Sequence, residues 1–361
     1  MKKIIALLIS VTMLLAFAAC GGGDESSSNA GMSTTENSST SSVSEEEPLS
    51  PPPAPYTNPL TGEGCYTDIS ANRPYVIMLN TIKQALPQSG NSQADLYYEM
   101  VEEGGITRVM GVYQDISDVG ILGSIRSTRQ YYVQLTLALD GFLVHAGGSR
   151  EGLDEITNLG LRTVNALGAA GGIFYRDQTR LNSGFALEHT MFVTSDDLQD
   201  WVDNTSGYRT EHEDGYADSH SHKFVEDGTP DGGEQADVIT VPFSGYKNTV
   251  FTYDDTTGKY DVSMFDSAYI DEQNGEQVSV TNVLILNTEI YTKANSRMSI
   301  AITGSGEGYY ACGGEIIPIT WSKANYSDMY TLKTADGDEL EFGVGKTYIC
   351  IIGLDNSITV E

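Results

Sequence analysis

The sequence has little positive charge. Its 361 residues include 20 Lys and Arg against 50 Asp and Glu, a formal net charge of −30 at pH 7. Loss of a leader containing Lys2 and Lys3 leaves 18 − 50 = −32. Such an acidic chain repels nucleic acid, whose binding depends on neutralising phosphates with Lys and Arg. It also argues against a basic patch lying on anionic lipid. We therefore expect no nucleic-acid partner.

Cysteine is scarce too, with four residues in the chain. If Cys20 is lipidated, as argued below, a single disulfide leaves one odd thiol among the remaining three. Cys312 and Cys350 both fall in the strand-rich C-terminal part, so they are the expected pair. Two buried free thiols are the alternative, because Cys packs well as a small hydrophobe.

Several motifs that identify enzymes and cofactor sites are missing. The glycine turns lack the Lys and the spacing of a Walker loop, which argues against a nucleoside triphosphate. No Gly-x-Ser-x-Gly elbow is present to create a serine nucleophile, and no acidic turn has EF-hand spacing. We predict no cofactor, and a binding protein in preference to an enzyme.

The first residues resemble a secretory leader. Lys2 and Lys3 precede an apolar run, 4–19, that ends in Ala18-Ala19 and is followed by Cys20. A basic start, an apolar core and small residues at the cut define a signal peptide. A Cys directly after the cut is typical of bacterial lipoproteins, which predicts a signal at 1–19 and lipidation of Cys20. An uncleaved membrane helix is the alternative, although the run is short for a span.

Composition divides the rest of the chain into four parts. Residues 20–55 are rich in Ser, Thr, Glu and Pro, which predicts a disordered tether of about 35 residues reaching roughly 30–35 Å. Residues 56–207 alternate helix and strand patterns, 208–235 are polar, and 236–361 are strand-rich. The predicted fold class is therefore α+β with two domains. A layered α/β domain with a mixed sheet precedes a β-rich domain.

Apolar periodicity and Gly or Asn boundaries locate the elements. The predicted strands of the first domain are 75–79, 106–114, 142–146 and 161–165. The predicted helices of that domain are 93–103, 127–140, 150–159 and 195–204. In the second domain the strands include 278–286, 298–303, 315–320, 330–334, 339–342 and 347–352. Asp336-Gly337 is the clearest hairpin turn there.

Blocks of residues along the chain resemble one family. They are Asn80, Pro87-Gln88-Ser89-Gly90, Ala94-Asp95, Tyr98-Glu99, Glu103–Arg108, Gly123–Arg129, His145–Ser149, Glu188–Phe192, Thr320–Lys323 and Gly345–Tyr348. Together they resemble the YerB-like lipoproteins over nearly all of the mature chain. The resemblance implies a two-domain lipoprotein with an α/β and a β-rich domain, and it carries over no catalytic residue. One departure is Leu86, where the family commonly has Arg, and this removes one candidate anion contact.

Two predicted helix starts carry residues suited to an anion. The first has Arg126, Ser127 and Arg129, and the second follows a Gly-Gly turn in the segment 147–150. Helix N-termini attract anions, and Arg binds phosphate or carboxylate in a bidentate manner. The predicted ligand site is Arg126, Ser127, Arg129, His145, Gly147, Gly148, Ser149 and Arg150, supported by Asn80, Glu99, Glu103, Arg108 and His189.

Each of these residues also has a structural interpretation. The arginines can pair with Glu99, Glu102 or Glu103, and the serines can cap helices. His145 and His189 can act in proton transfer, or they can be core residues bonded to the backbone. His212, His220 and His222, with acids such as Asp218 between them, can ligate a transition metal, although the segment is typical of a flexible loop. We predict no metal site.

Two functional hypotheses follow. The favoured one is a lipoprotein on the outer face of the bacterial cytoplasmic membrane, anchored through its lipid, that binds a cell-wall glycan or an envelope protein. The alternative is an envelope enzyme acting on a phosphorylated or glycan substrate. There Arg126, Arg129 and Arg150 hold the anion, and His145 or Glu103 moves protons.

Overall fold

A computed structural model of the chain describes residues 52–217 and 219–361. The predicted signal peptide 1–19, Cys20, tether residues 21–51 and Asp218 lie outside the described residues. Residues from Pro52 to Glu361 form one compact unit. Within these ranges, no helix combines the length and the apolar composition needed to cross a bilayer.

The first half of this unit mixes short strands with helices. Its strands are β1 Tyr56–Thr57, β2 Gly64–Cys65, β3 Tyr75–Asn80, β4 Leu96–Val101, β5 Thr107–Tyr113, β6 Ile121–Gly123, β7 Phe142–His145, β8 Val164–Asn165, β9 Tyr175–Arg176 and β10 Met191–Thr194. Its α-helices are α1 Gln130–Ala138, α2 Arg150–Asn158, α3 Gln178–Asn182 and α4 Ser195–Asn204. Short 3-10 helices cover Lys83–Ala85, Asn91–Gln93, Glu103–Gly105, Ala169–Ile173 and Leu187–His189.

The second half consists of strands. They are β11 Lys223–Val225, β12 Glu234–Gln235, β13 Val238–Pro242, β14 Asn248–Asp254, β15 Lys259–Met264, β16 Ser267–Ala268, β17 Ser279–Val280, β18 Asn282–Thr288, β19 Ile290–Thr292, β20 Met298–Ile300, β21 Gly304–Cys312, β22 Glu315–Lys323, β23 Thr331–Thr334, β24 Glu341–Gly343, β25 Thr347–Gly353 and β26 Thr359–Val360. The α+β class with a β-rich C-terminal part is confirmed.

One large mixed sheet contains strands from both halves. Its order is β12-β22-β21-β18-β25-β4-β5-β3-β7-β8, with β23 beside β22. The halves join where β25 pairs in parallel with β4, as in Ile349 opposite Tyr98. A second sheet, β16-β15-β14-β13-β26, packs on one face, where the Phe251 ring meets Tyr348 edge-on at 5.1 Å. The core is therefore shared by both halves.

Six strands of the large sheet run in one direction. β18, β25 and β4 are parallel neighbours, and so are β3, β7 and β8. β5 lies antiparallel between β4 and β3, which aligns the two groups. Their carboxyl ends form what we call the carboxyl edge: Asn80, Val101, His145, Asn165, Thr288 and Gly353. Ligands of α/β proteins usually bind at such an edge.

The helix predicted over 93–103 is wrong, because Leu96–Val101 is the strand β4. All six of its residues are buried. β4 is hydrogen-bonded on both sides, to β5 and β25. A strand buried on both faces shows no apolar alternation, so its pattern is easily taken for a helix. The segment forms a strand because it pairs with β25, which lies late in the chain.

The Pro87-Gln88-Ser89-Gly90 block joins the two halves. Asp271 is fully buried, and its carboxylate accepts from the backbone N–H groups of Gly90 and Ser92, both at 3.1 Å, and from the Ser92 hydroxyl at 2.9 Å. The Glu272 N–H donates to the Gln88 carbonyl at 2.7 Å. This block therefore anchors a loop of the second half.

The three cysteines in the described residues are free thiols. Cys312 and Cys350 are buried, and Cys65 is partly exposed. Cys312 and Cys350 are therefore free thiols in the structure, and the expected disulfide between them is not formed.

Candidate functional site

The segment 126–128 is held at the carboxyl edge by backbone hydrogen bonds. The Arg126 N–H donates to the Met78 carbonyl of β3 at 2.8 Å, and the Ala146 N–H donates to the Arg126 carbonyl at 2.9 Å. Two residues after Arg126, the Thr128 N–H donates to the Gly147 carbonyl at 3.0 Å. The segment is thus placed beside the end of β3 and the turn that follows β7.

Arg126 differs from its neighbouring arginines because it has no carboxylate partner within 4 Å among the described residues. Its Nη1 donates to the Glu188 carbonyl at 3.2 Å. Its Nε is buried and has no hydrogen-bond partner in the described structure. Burial and the charge of Arg108 lower the pKa of Arg126 to about 10. An anion bound to this guanidinium would supply an acceptor for Nε and a compensating negative charge.

Arg129 and Arg108 are neutralised by two glutamates. Arg129 Nη2 lies 2.7 Å from Glu103 Oε2 and 3.3 Å from Glu102 Oε2, and Arg108 Nη1 lies 2.7 Å from either oxygen of Glu102. Glu102 Oε2 lies within ion-pair distance of Arg108 and Arg129 but lacks hydrogen-bond geometry, so its contact with them is electrostatic only. This is the structural interpretation of Arg129 considered above.

The two glutamates have opposite pKa shifts. Burial raises the pKa of Glu102, and the charges of Arg108 and Arg129 only partly offset it. Burial opposes ionisation of Glu103 as well, but the hydrogen bonds and charge of Arg129 outweigh it and hold its pKa at about 2. Glu103 is therefore an ionised partner of Arg129, which leaves it poorly suited to carry protons.

Arg297 is a member of this cluster that sequence reasoning missed. It precedes β20, and its Nη1 lies 3.4 Å from Glu103 Oε1. The hairpin that carries it also brings Lys293 Nζ to 3.4 Å from Gln130 Oε1 and Asn295 Nδ2 to 2.5 Å from Glu151 Oε1. No local pattern predicts such contacts, because the partners are remote in sequence.

Asn80 and His189 lie next to Arg126. The side-chain Nδ2 of Asn80 is 2.8 Å from Nδ1 of His189. When the Asn80 amide donates, the neutral His189 ring carries its proton on Nε2. Burial and the charge of Arg126 lower the pKa of His189, which favours that neutral form. His189 is thus a second donor beside Arg126.

His145 is a core residue. It is fully buried, with Nδ1 at 2.7 Å from the Gly147 carbonyl and Nε2 at 2.9 Å from the Thr163 hydroxyl. Burial lowers its pKa to about 4. Because both nitrogens are bonded within the fold, the geometry does not present His145 to a substrate.

The remaining predicted residues have local roles. Ser149 caps α2 by accepting from the Gly152 N–H at 3.1 Å. Arg150 points to solvent with its side chain 91% exposed, 3.6 Å from Asp154. Gly147 has φ +68°, a left-handed conformation that favours glycine. The Ser127 carbonyl accepts from Arg108 at 2.6 Å.

Glu99 lies inside the protein, away from the carboxyl edge. It and Lys247 are both fully buried, with Lys247 Nζ 2.9 Å from Glu99 Oε1. The hydroxyls of Thr107, Thr249 and Tyr348 donate to the same carboxylate at 2.5, 2.7 and 2.7 Å. This network joins the two sheets and is structural.

Arg126 does not line either of two sizeable cavities in the described structure. A cavity of about 450 Å³ at the carboxyl edge is lined by Glu102, the ends of β18 and β25, and the β19–β20 hairpin. Another of about 840 Å³ is lined by His220, His222 and Lys323. The expected cleft centred on the two helix starts stays a prediction.

The histidine segment packs against the fold. The rings of His212 and His220 stack on either side of Tyr216, with centroids 3.8 and 4.2 Å away. His212 Nδ1 lies 2.9 Å from Asp140, whereas the His222 ring packs against Phe342. In the described ranges, no three His, Cys, Asp or Glu side chains are grouped to hold a metal ion.

Comparison with known proteins gives consistent matches. The family model described as "Protein of unknown function (DUF3048) N-terminal domain" matches residues 60–209, and the corresponding C-terminal domain model matches 239–349. The chain is 26% identical over 297 residues to the Bacillus subtilis (strain 168) protein named "Putative lipoprotein YerB", covering 81% of this chain and 85% of that protein. The crystal structure of YerB from Bacillus subtilis matches with a TM-score of 0.72 and 25% identity, over 84% of this chain and 99% of that one.

Proposed function

The chain belongs to the DUF3048 family and is a homologue of YerB, and from that premise we propose that it is a lipid-anchored extracytoplasmic protein that binds an anionic component of the cell envelope. The anion is held at Arg126. Asn80, His189 and the Gly147-Gly148 turn complete the binding surface, and Arg108, Arg129, Glu102 and Glu103 form the rigid network behind it.

The anchoring part of the proposal is supported by the start of the sequence. The basic residues, the apolar run and Cys20 have the order of a lipoprotein signal. The relative's name, which includes the word lipoprotein, agrees with this order. Transfer of a labelled fatty acid to the protein, lost in Cys20→Ala, is the direct test.

The single observation that carries the binding part is that the Arg126 guanidinium has no carboxylate partner within 4 Å and no acceptor for its Nε among the described residues. Buried polar groups nearly always have partners. The Nε atoms of Arg108 and Arg180 also lack an acceptor, but both of those arginines have carboxylate partners, whereas Arg126 has none among the described residues. Four guanidinium groups (Arg108, Arg126, Arg129 and Arg297) face two carboxylates (Glu102 and Glu103) in this network, a local excess of 4 − 2 = +2. Glu188, which is exposed, offsets this excess in part. In a chain of net charge −30, this local positive field favours an anion.

The site is tested by titrating the protein with inorganic phosphate while the amide resonances of Gly147 and Gly148 are monitored by NMR. A charged hydrogen bond contributes about 1.5–3 kcal/mol, so Arg126→Gln is expected to weaken binding at least about ten-fold. Arg150→Gln is the matched control, since that arginine is on the same edge but points to solvent.

The proposed anion site is wrong if Arg126→Gln retains full affinity, or if Arg150→Gln weakens binding equally. The second result attributes binding to general surface charge. Thermal unfolding of both variants checks that the fold is intact.

A further inference from the structure

Three large apolar side chains near Arg126 are exposed. Leu153 of α2 is 39% exposed, Leu167 after β8 is 65% exposed, and Leu187 before Glu188 is 57% exposed. Single exposed leucines are common on protein surfaces. Here, two lie beside the Gly147-Gly148 turn and one directly precedes Glu188, whose carbonyl accepts from Arg126, so the group needs its own explanation.

Contacts place these leucines at the borders of the site. A Cβ atom on Gly147 would lie 3.0 Å from Leu167 Cδ1, and one on Gly148 would lie 3.2 Å from Leu153 Cδ2. The two leucines therefore border the turn whose backbone pairs with the 126–128 segment. Leu187 precedes Glu188, whose carbonyl accepts from the Arg126 guanidinium. Exposed apolar side chains thus border the turn and precede the residue that accepts from the guanidinium.

This combination matches a ligand that has a charge at one end and methylene groups beside it. We propose that the anion bound at Arg126 is the phosphate of a lipid, carried on an alkyl or isoprenoid chain that lies against Leu153, Leu167 and Leu187. The inference rests on the proposed function and specifies the ligand class of the same site. Such a ligand matches the site in charge at Arg126 and in apolar contact along the three leucines.

The position of the chain relative to a membrane agrees with this ligand. In the sequence, residues 21–51 separate Cys20 from the described unit. If Cys20 is lipidated, the site can meet a lipid phosphate at the bilayer surface without leaving its anchor.

A peptide with a C-terminal carboxylate is the competing ligand, and the backbone argues against it. Peptides bound at strand ends use free main-chain groups. Here the Gly147 N–H donates to the Asn165 side chain at 3.0 Å. The Thr128 N–H donates to the Gly147 carbonyl, and the Ser149 N–H donates to the Thr128 carbonyl. A methylene chain needs no such partners.

The first test compares monomeric octyl phosphate with inorganic phosphate, using purified protein carrying Cys20→Ser. Each buried methylene contributes about four-fold in affinity, so partial burial of the chain is expected to make octyl phosphate bind at least about ten-fold tighter. Octanol, which lacks the anion, is expected to bind far more weakly. Equal affinity for octyl phosphate and inorganic phosphate would overturn the inference while leaving the anion site standing.

The second test removes the apolar surface. Leu167→Ser and Leu187→Ser are expected to weaken octyl phosphate binding about five-fold or more and to leave phosphate binding unchanged. Leu354→Ser is the matched control, because Leu354 is 66% exposed but does not border the turn or the guanidinium. An unchanged octyl phosphate affinity in both leucine variants contradicts the inference.

Two further outcomes separate the proposals. Loss of phosphate binding but retention of octyl phosphate binding in Arg126→Gln supports the anion site and overturns this inference, because the alkyl phosphate is then bound elsewhere. Tighter binding of N-acetyl-leucine than of octyl phosphate refutes the lipid ligand in favour of a peptide carboxylate.

Discussion

Lys247→Met is the substitution whose effect the structure specifies most sharply. Lys247 and Glu99 are both fully buried, and their charged atoms lie 2.9 Å apart. Lys247 Nζ also donates to the Asn248 carbonyl at 2.9 Å and to the Thr249 hydroxyl at 2.5 Å. Methionine fills a similar volume but leaves the Glu99 carboxylate buried without a counter-charge.

Breaking a buried ion pair on one side costs about 3–5 kcal/mol. The hydroxyls of Thr107, Thr249 and Tyr348 still donate to Glu99, so we expect the lower end, about 3 kcal/mol. A folded unit of roughly 300 residues unfolds with an entropy of about 0.65 kcal/mol per degree, so the Tm falls by about 5 °C. Adding Glu99→Gln removes the buried charge and is expected to restore about 1–2 kcal/mol.

Urea unfolding followed by fluorescence and circular dichroism measures these differences. Lys223→Met is the control, because Lys223 pairs with Glu341 at the exposed surface and such pairs contribute below about 1 kcal/mol. A loss below about 1 kcal/mol for Lys247→Met would refute the reasoning. So would further destabilisation when Glu99→Gln is added.

Three further predictions follow from buried polar groups and thiols. Because His145 has its pKa lowered to about 4 in the fold, its unfolded form takes up a proton first as the pH falls. The contribution of neutral His145 to the free energy of unfolding is therefore complete above pH 6.5, and roughly 3 kcal/mol of it is lost between pH 6.5 and 4. Urea midpoints across this range should decline less steeply in His145→Gln. Asp271→Asn replaces one of the two carboxylate oxygens that accept from Gly90 and Ser92 with an NH2 group and should cost about 2 kcal/mol by urea unfolding, whereas Asp254→Asn, at the end of β14, should cost little. A thiol reagent should modify only Cys65 among the described cysteines of the native protein, and Cys312 and Cys350 only after denaturation; a missing pair of thiols in denaturant would reveal a disulfide.

The sequence predicted those elements that depend on interactions between neighbouring residues. Ser149 was recognised as a possible helix cap because capping depends on residues three apart, and α2 begins there. The strand β7 was predicted from its continuous apolar run and a following Gly-Gly turn. For such elements the neighbouring residues contain the determining interactions.

The site could be predicted only in part. Pairing of arginines with nearby glutamates was one of two interpretations, and Glu102 and Glu103 are close enough in sequence to be considered. Arg297 could not be found in this way, because a hairpin from the other half of the chain delivers it to Glu103. The same limit applies to Lys247, the partner of Glu99.

The junction of β4 and β25 has a consequence for how the chain folds during synthesis. Residues 96–101 are made long before their partner residues 347–353. Until residues 347–353 are synthesised, one edge of the strand β4 is unpaired. Until Lys247 is synthesised, Glu99 lacks its ion-pair partner. Because pairing between remote segments is slow, we expect stable folding only once nearly the whole chain has emerged from the ribosome or the export channel. A fragment ending at residue 207 should aggregate through the open edge of β4.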